Sequence, residues 1–211
     1  DFVHFPGNTI KTGAHQKWAI ANNYNTPKFP DFIKPVNDSL ETIAFMVIVN
    51  DSIQFEKYWH GYSADTMSNS YSMAKSFVGT LIGVAIKEGK IKSVDQKVCD
   101  FLPDFCEGRN AEVTIKNLLT MSSGLNWTEN YYNPIGQTAE AYYGNDLSDL
   151  VMNLTVVETP GKVFKYHSSC TQILTFILEA ATGKTISEYA SKKLWKPIGA
   201  KHPALWNIDV E

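Results

Sequence analysis

Residues 71–89, Tyr71-Ser72-Met73-Ala74-Lys75-Ser76-Phe77-Val78-Gly79-Thr80-Leu81-Ile82-Gly83-Val84-Ala85-Ile86-Lys87-Glu88-Gly89, decide the fold. Phe77, Val78, Leu81, Ile82, Val84, Ala85 and Ile86 fall on nearly every side of a helix over 73–87, and Gly89 supplies its stop. A helix apolar all round packs inside a domain, so this one is predicted to be buried and central. At its front, Ser72 and Lys75 are the only serine and lysine of the chain at S-x-x-K spacing. Positions i and i+3 share a helix face, which brings the amine to the hydroxyl. A neutral amine there takes the hydroxyl proton and turns the serine into a nucleophile, while the first turn offers N–H groups to an oxyanion. Spacing alone leaves a second reading open, in which Ser72 caps the helix and Lys75 is an exposed first-turn residue.

Upstream, residues 42–49 and 52–59 are two β-rich runs around Asn50-Asp51, which reads as a hairpin. Residues 1–40, punctuated by Pro27, Pro30 and Pro35, read as an extended arm with little regular structure. Downstream, helices are expected over 114–121, 147–154, about 169–181 (ending at Thr182-Gly183) and 186–194 (before Pro197). A lone hairpin is marginal in water, so a hairpin followed by a helical block implies further strands beyond Glu211.

Composition removes several classes of function. The 211 residues carry 19 basic and 22 acidic side chains, a net charge of −3, which does not suit a nucleic-acid binder. No apolar run approaches the length of a transmembrane helix. The five histidines form no H-E-x-x-H pair, Gly183-Lys184-Thr185 lacks the first glycine of a P-loop, and Gly61-Tyr62-Ser63-Ala64-Asp65 misses G-x-S-x-G at its last position. No metal or organic cofactor is expected. Cys99, Cys106 and Cys170 include no C-x-x-C; Cys99 and Cys106 bracket a short loop that either closes as a disulfide or holds two buried thiols, according to compartment.

With these residues in hand, the chain resembles the serine β-lactamase and penicillin-binding-protein superfamily, nearest to its class C-like branch of esterases, DD-peptidases and 6-aminohexanoate-dimer hydrolases. Ser72-Met73-Ala74-Lys75 before an apolar helix resembles the first motif. Asn117-Leu118-Leu119-Thr120-Met121-Ser122-Ser123-Gly124-Leu125 is similar to the family's "LLTHTSGL" helix end, Gly161-Lys162-Val163-Phe164-Lys165-Tyr166-His167-Ser168-Ser169 to its "PG..F.YSN" box, and Pro197-Ile198-Gly199-Ala200 to "PLGM". The Met-Ser-Ser-Gly version with Trp127 close behind is most similar to the 6-aminohexanoate-dimer hydrolase group.

The resemblance implies an α+β fold of β-lactamase/transpeptidase type: an antiparallel sheet flanked by helices, plus a mostly helical region. Residues 41–211 would form the N-terminal portion of that domain. Its C-terminal strands, with the third motif and the second oxyanion N–H, would lie in a further segment of the same domain. It also implies a serine hydrolase acting through an acyl-enzyme on Ser72, with Lys75 as base and Tyr166 as proton shuttle, on a small ester, amide or peptide-like substrate. A penicillin-recognising module that is acylated, or binds, without turnover is the alternative. Ser168, which stands where the family more often has Asn, is a candidate for substrate contact. Trp127 and Tyr132, in an aromatic-rich connection, are candidates to line the substrate pocket, or else form a small core pinning that loop. Family habit implies a periplasmic or secreted protein, with a cytoplasmic one as the alternative.

Overall fold

The computed structural model describes residues 5–209. Its centre is helical. Helix α2 (Ala74–Lys87) packs chiefly on α6 (Ser168–Thr182), with α3 (Ile115–Leu119) against α6 as well. Val78, Leu81, Ile82 and Ala85 of α2 meet Ile173, Leu174, Ile177 and Leu178 of α6, and Phe105, Val113, Ile115 and Leu118 close the same core. Each of these is all but excluded from solvent, so burial of roughly 1.5–3 kcal/mol per large side chain acts here more than anywhere else in the chain.

The expectation of a helix buried on all sides is corrected. Ser76, Thr80, Gly83 and Lys87 form an open stripe along α2, because no described element packs on that side. Phe77, Val84 and Ile86 are half-buried. The predicted helix ends agree well with the structure. α6 stops at Gly183, whose φ of +64° is the left-handed cap that glycine takes without penalty. α3 and α7 (Ile186–Ala190) each begin on a capping box, Thr114 with Asn117 and Thr185 with Glu188. The predicted helix 186–194 is in fact α7 running into a wider π-type turn, Ser191–Trp195. Helices α4 (Gln137–Tyr143) and α5 (Leu147–Met152) cover the connection between α3 and α6.

The hairpin forms as predicted from β3 (Ala44–Val49) and β4 (Ser52–Tyr58). Asn50 and Asp51 both have positive φ, 48° and 58°, the pairing that matches the right-handed twist of the strands it joins. A bulge between Val47 and Ile48 shifts the register once.

Residues 1–40 are more structured than expected. Strand β1 (Gly7–Ile10) pairs antiparallel with β5 (Ala204–Asn207), β2 (Ala19–Ile20) pairs parallel with β4, and α1 (Lys34–Ser39) precedes the hairpin. Phe29 packs against Phe45 at 5.3 Å and Trp59 at 5.4 Å between ring centroids. The hairpin therefore gains its third strand from upstream, in the order β2-β4-β3. Pairing partners nearly the whole chain apart leave no local pattern in the sequence, which is why β1 read as arm. The segment 1–4 of that arm lies outside the described residues.

Cys99 and Cys106 are joined as a disulfide with their Cα atoms 5.5 Å apart, a separation typical of such bonds. Cys170 is free and buried in α6.

Candidate active site

Ser72 lies on a 3-10 turn, Tyr71–Met73, that feeds directly into α2. The turn is built by Asn69, whose side-chain oxygen accepts the Tyr71 N–H at 2.8 Å, and Tyr71 itself has φ +44°. A bulky residue held in the left-handed region immediately before Ser72 is backbone strain of the kind that collects at functional sites. One turn on, Lys75 Nζ donates to Ser72 Oγ at 3.0 Å. Tyr166 hydroxyl donates to the same oxygen at 2.7 Å, and Lys75 Nζ sits 5.2 Å from the centre of the Tyr166 ring. The structure thus brings together all three residues singled out for chemistry.

Tyr166 reaches Ser72 from the extended stretch before α6, which is fastened on both sides. The Lys165 N–H donates to the Met121 carbonyl at 2.9 Å, and the Ser168 N–H donates to Glu129 at 2.8 Å. The 121–125 segment that receives it is pinned by Gly161 N–H to the Ser122 carbonyl and by Gly124, where a Cβ would stand 2.2 Å from the Glu158 carbonyl oxygen. This explains physically why the Met-Ser-Ser-Gly and Pro-Gly boxes belong together: each positions the other's backbone.

The remaining candidates behave differently. Trp127 is buried in the main hydrophobic core, its indole N–H donating to Glu129 at 2.7 Å. Tyr132 is 97% exposed and makes no ring contact or side-chain hydrogen bond with Ser72, Lys75 or Tyr166. Ser168 spends both its N–H and its hydroxyl on Glu129, the latter at 2.7 Å. His167 is buried, and burial holds its imidazole below its usual pKa. The triad itself faces solvent: Ser72 is exposed, Lys75 half-buried and Tyr166 38% exposed. Two shallow concavities lie elsewhere, one lined by Trp18, Ala19 and Ile198, the other between α6 and β5.

The residue the sequence reading missed is Glu129. Its carboxylate accepts from Trp127, Tyr131 and Ser168, the last twice. Burial pushes its pKa up, but the hydrogen bonds from Tyr131, Ser168 and Trp127 outweigh this and hold the carboxyl below its ordinary value. The same bond pushes the Tyr131 phenol up to about 12. The signal was present as a lone acid alternating with two aromatics, Trp127-x-Glu129-x-Tyr131, which in extended chain share one side.

Comparison with known proteins places the chain among hydrolase-like relatives. The chain is 27% identical over 192 residues to the 6-aminohexanoate-dimer hydrolase of Paenarthrobacter ureafaciens, a match covering 86% of this chain and 48% of that protein. Among solved structures, "Putative 6-aminohexanoate-dimer hydrolase from Bacillus anthracis" superposes with a TM-score of 0.83 at 21% identity, covering 98% of this chain and 59% of that one. A family VIII carboxylesterase superposes at 0.63 and 21% identity, covering 87% and 51%. The chain spans about half the length of these proteins. The Beta-lactamase family matches residues 29–208, the span that holds Ser72, Lys75 and Tyr166, and the chain belongs to that family.

Proposed function

We infer that the protein is a serine hydrolase that cleaves a small ester or amide through an acyl-enzyme. The observation that carries this reading is the convergence of Lys75 Nζ and Tyr166 hydroxyl on a single oxygen, Ser72 Oγ. As Ser72 Oγ bonds to the substrate carbonyl carbon, its proton passes to Lys75 in the free-amine form. Tyr166 then delivers a proton to the departing oxygen or nitrogen as its bond to the carbonyl breaks. Water attacks the acyl-Ser72 ester by the reverse route, releasing the acid and returning the proton to Ser72. No metal enters these steps. The small ester or amide class of substrate is carried over from the Beta-lactamase family, and no single compound is singled out by the geometry.

The test is hydrolysis of a p-nitrophenyl ester followed to many equivalents. Continuous release after any burst supports the enzyme reading. A halt at one equivalent supports instead a module that is acylated and does not turn over, and no release at all contradicts both.

The Cys99–Cys106 disulfide supports placing the protein in an oxidising compartment, the periplasm or outside the cell. Titration of the denatured protein is expected to find one free thiol, Cys170; three would oppose this placement.

A further inference from the structure

We propose that Glu129 is a positioning residue that fixes Tyr166 over Ser72 by capping α6 from outside the helix. This rests on the reading of Ser72 and Tyr166 given above. Helix α6 is fifteen residues long, and its N-cap, His167, provides no side-chain cap. The first N–H of the helix, that of Ser168, therefore needs an acceptor from elsewhere, and Glu129 supplies it across 39 positions of sequence. A carboxylate is the favoured group there because the helix dipole places partial positive charge at that end.

Glu129 is held in turn by Trp127, which is anchored in the core, and by Tyr131. Tyr166 lies only two residues before Ser168. With Lys165 tied to Met121 on the other side, the Tyr166 backbone is fixed between two anchors, one purely main-chain and one that depends on Glu129. The Ser168 hydroxyl, a candidate for substrate contact from sequence, donates to this same carboxylate. Its role is thus the second clasp of the anchor. An amide in place of the carboxylate keeps the shape but presents one acceptor oxygen and a donor pair to four donors, so at least one clasp opens.

The test compares wild type, Glu129→Gln and Ser168→Ala for turnover of a p-nitrophenyl ester and for amide exchange of the peptide covering 166–171, with far-UV circular dichroism as the folding check. A misplaced proton carrier costs rate more than binding. Glu129→Gln is expected to lower kcat by about 10- to 100-fold with KM within about twofold. The Ser168 amide is expected to exchange about tenfold faster or more, while α2 amides keep their protection. Ser168→Ala, which removes one clasp and leaves the N–H anchor, is expected to fold and to lose several-fold in kcat.

Unchanged kcat and unchanged Ser168 exchange in Glu129→Gln would overturn the proposal, as would a loss confined to KM. If Glu129→Gln does not fold, Ser168→Ala decides by rate: a several-fold loss of kcat with KM within about twofold sustains the proposal, and an unchanged kcat overturns it. If wild type turns over no ester, the hydrolase reading falls, and exchange at Ser168 alone then decides the anchor: faster exchange in Glu129→Gln sustains it, and no change overturns it.

Discussion

Tyr166 and Ser72 are separated by 94 positions in the chain, yet the Tyr166 hydroxyl donates to Ser72 Oγ at 2.7 Å. The contact is made because α2 and α6 pack side by side and each presents its N-terminal approach at the same end. Neither helix alone specifies it. If the phenol carries the proton to the leaving group, its hydroxyl is needed and its ring is not. Tyr166→Phe is expected to cut the acylation rate by about 10²- to 10⁴-fold. Because the side chain is 38% exposed, the melting temperature should hardly move. Stopped-flow measurement of the ester burst checks the rate, and a rate within about threefold of wild type would remove Tyr166 from the chemistry.

The two glycines at the ends of the site's supporting segments provide a contrast. Gly124 has φ +73° and no room for a Cβ, the Glu158 carbonyl oxygen being 2.2 Å from where it would stand. Gly89, after α2, has φ +70° with open space around it. Gly89→Ala therefore incurs only the left-handed backbone penalty, about 1–2 kcal/mol. Gly124→Ala adds a backbone collision that must push residues 121–125 away from 157–165, and should cost about 3 kcal/mol or more. Denaturant unfolding of the two variants separates these values, and equal losses would contradict the packing described here.

What could be read from sequence followed how local the cause was. The hairpin was legible because Asn50-Asp51 enforces its own turn, and α6 was legible because an apolar run ends on a glycine able to take φ +64°. Ser72 and Lys75 are one helical turn apart, so their contact is a matter of spacing. Tyr166 needed its Pro-Gly turn and following helix as context. By contrast, β1 owes its existence to β5, almost two hundred residues later, and the open stripe of α2 depends on which elements pack beside it. Glu129 escaped notice for the same reason: two of its four bonds come from Ser168, and nothing near residue 129 announces a helix N-terminus 39 residues on. Trp127 was legible as an aromatic in a connection, but whether it faced a pocket or the core was decided by the carboxylate beside it.

Glu129 also makes the stability of this region depend on pH in a defined direction. Its carboxyl lies below the ordinary value in the folded chain, so its contribution is complete above the unfolded value of about 4.3 and is lost as pH falls through the folded one. The melting temperature of wild type should therefore exceed that of Glu129→Gln by a constant amount above roughly pH 5.5, with the gap closing below about pH 4. A gap of the same size at pH 3 and pH 7 would show that the charge of Glu129 is not what holds the anchor.

The central claim, that Ser72 is an activated nucleophile, is tested most directly by intact-mass analysis after incubation with a fluorophosphonate probe, beside Ser72→Ala. A single adduct is expected on wild type and none at that mass on the variant. An adduct that persists in Ser72→Ala, or none on either protein, would contradict the claim.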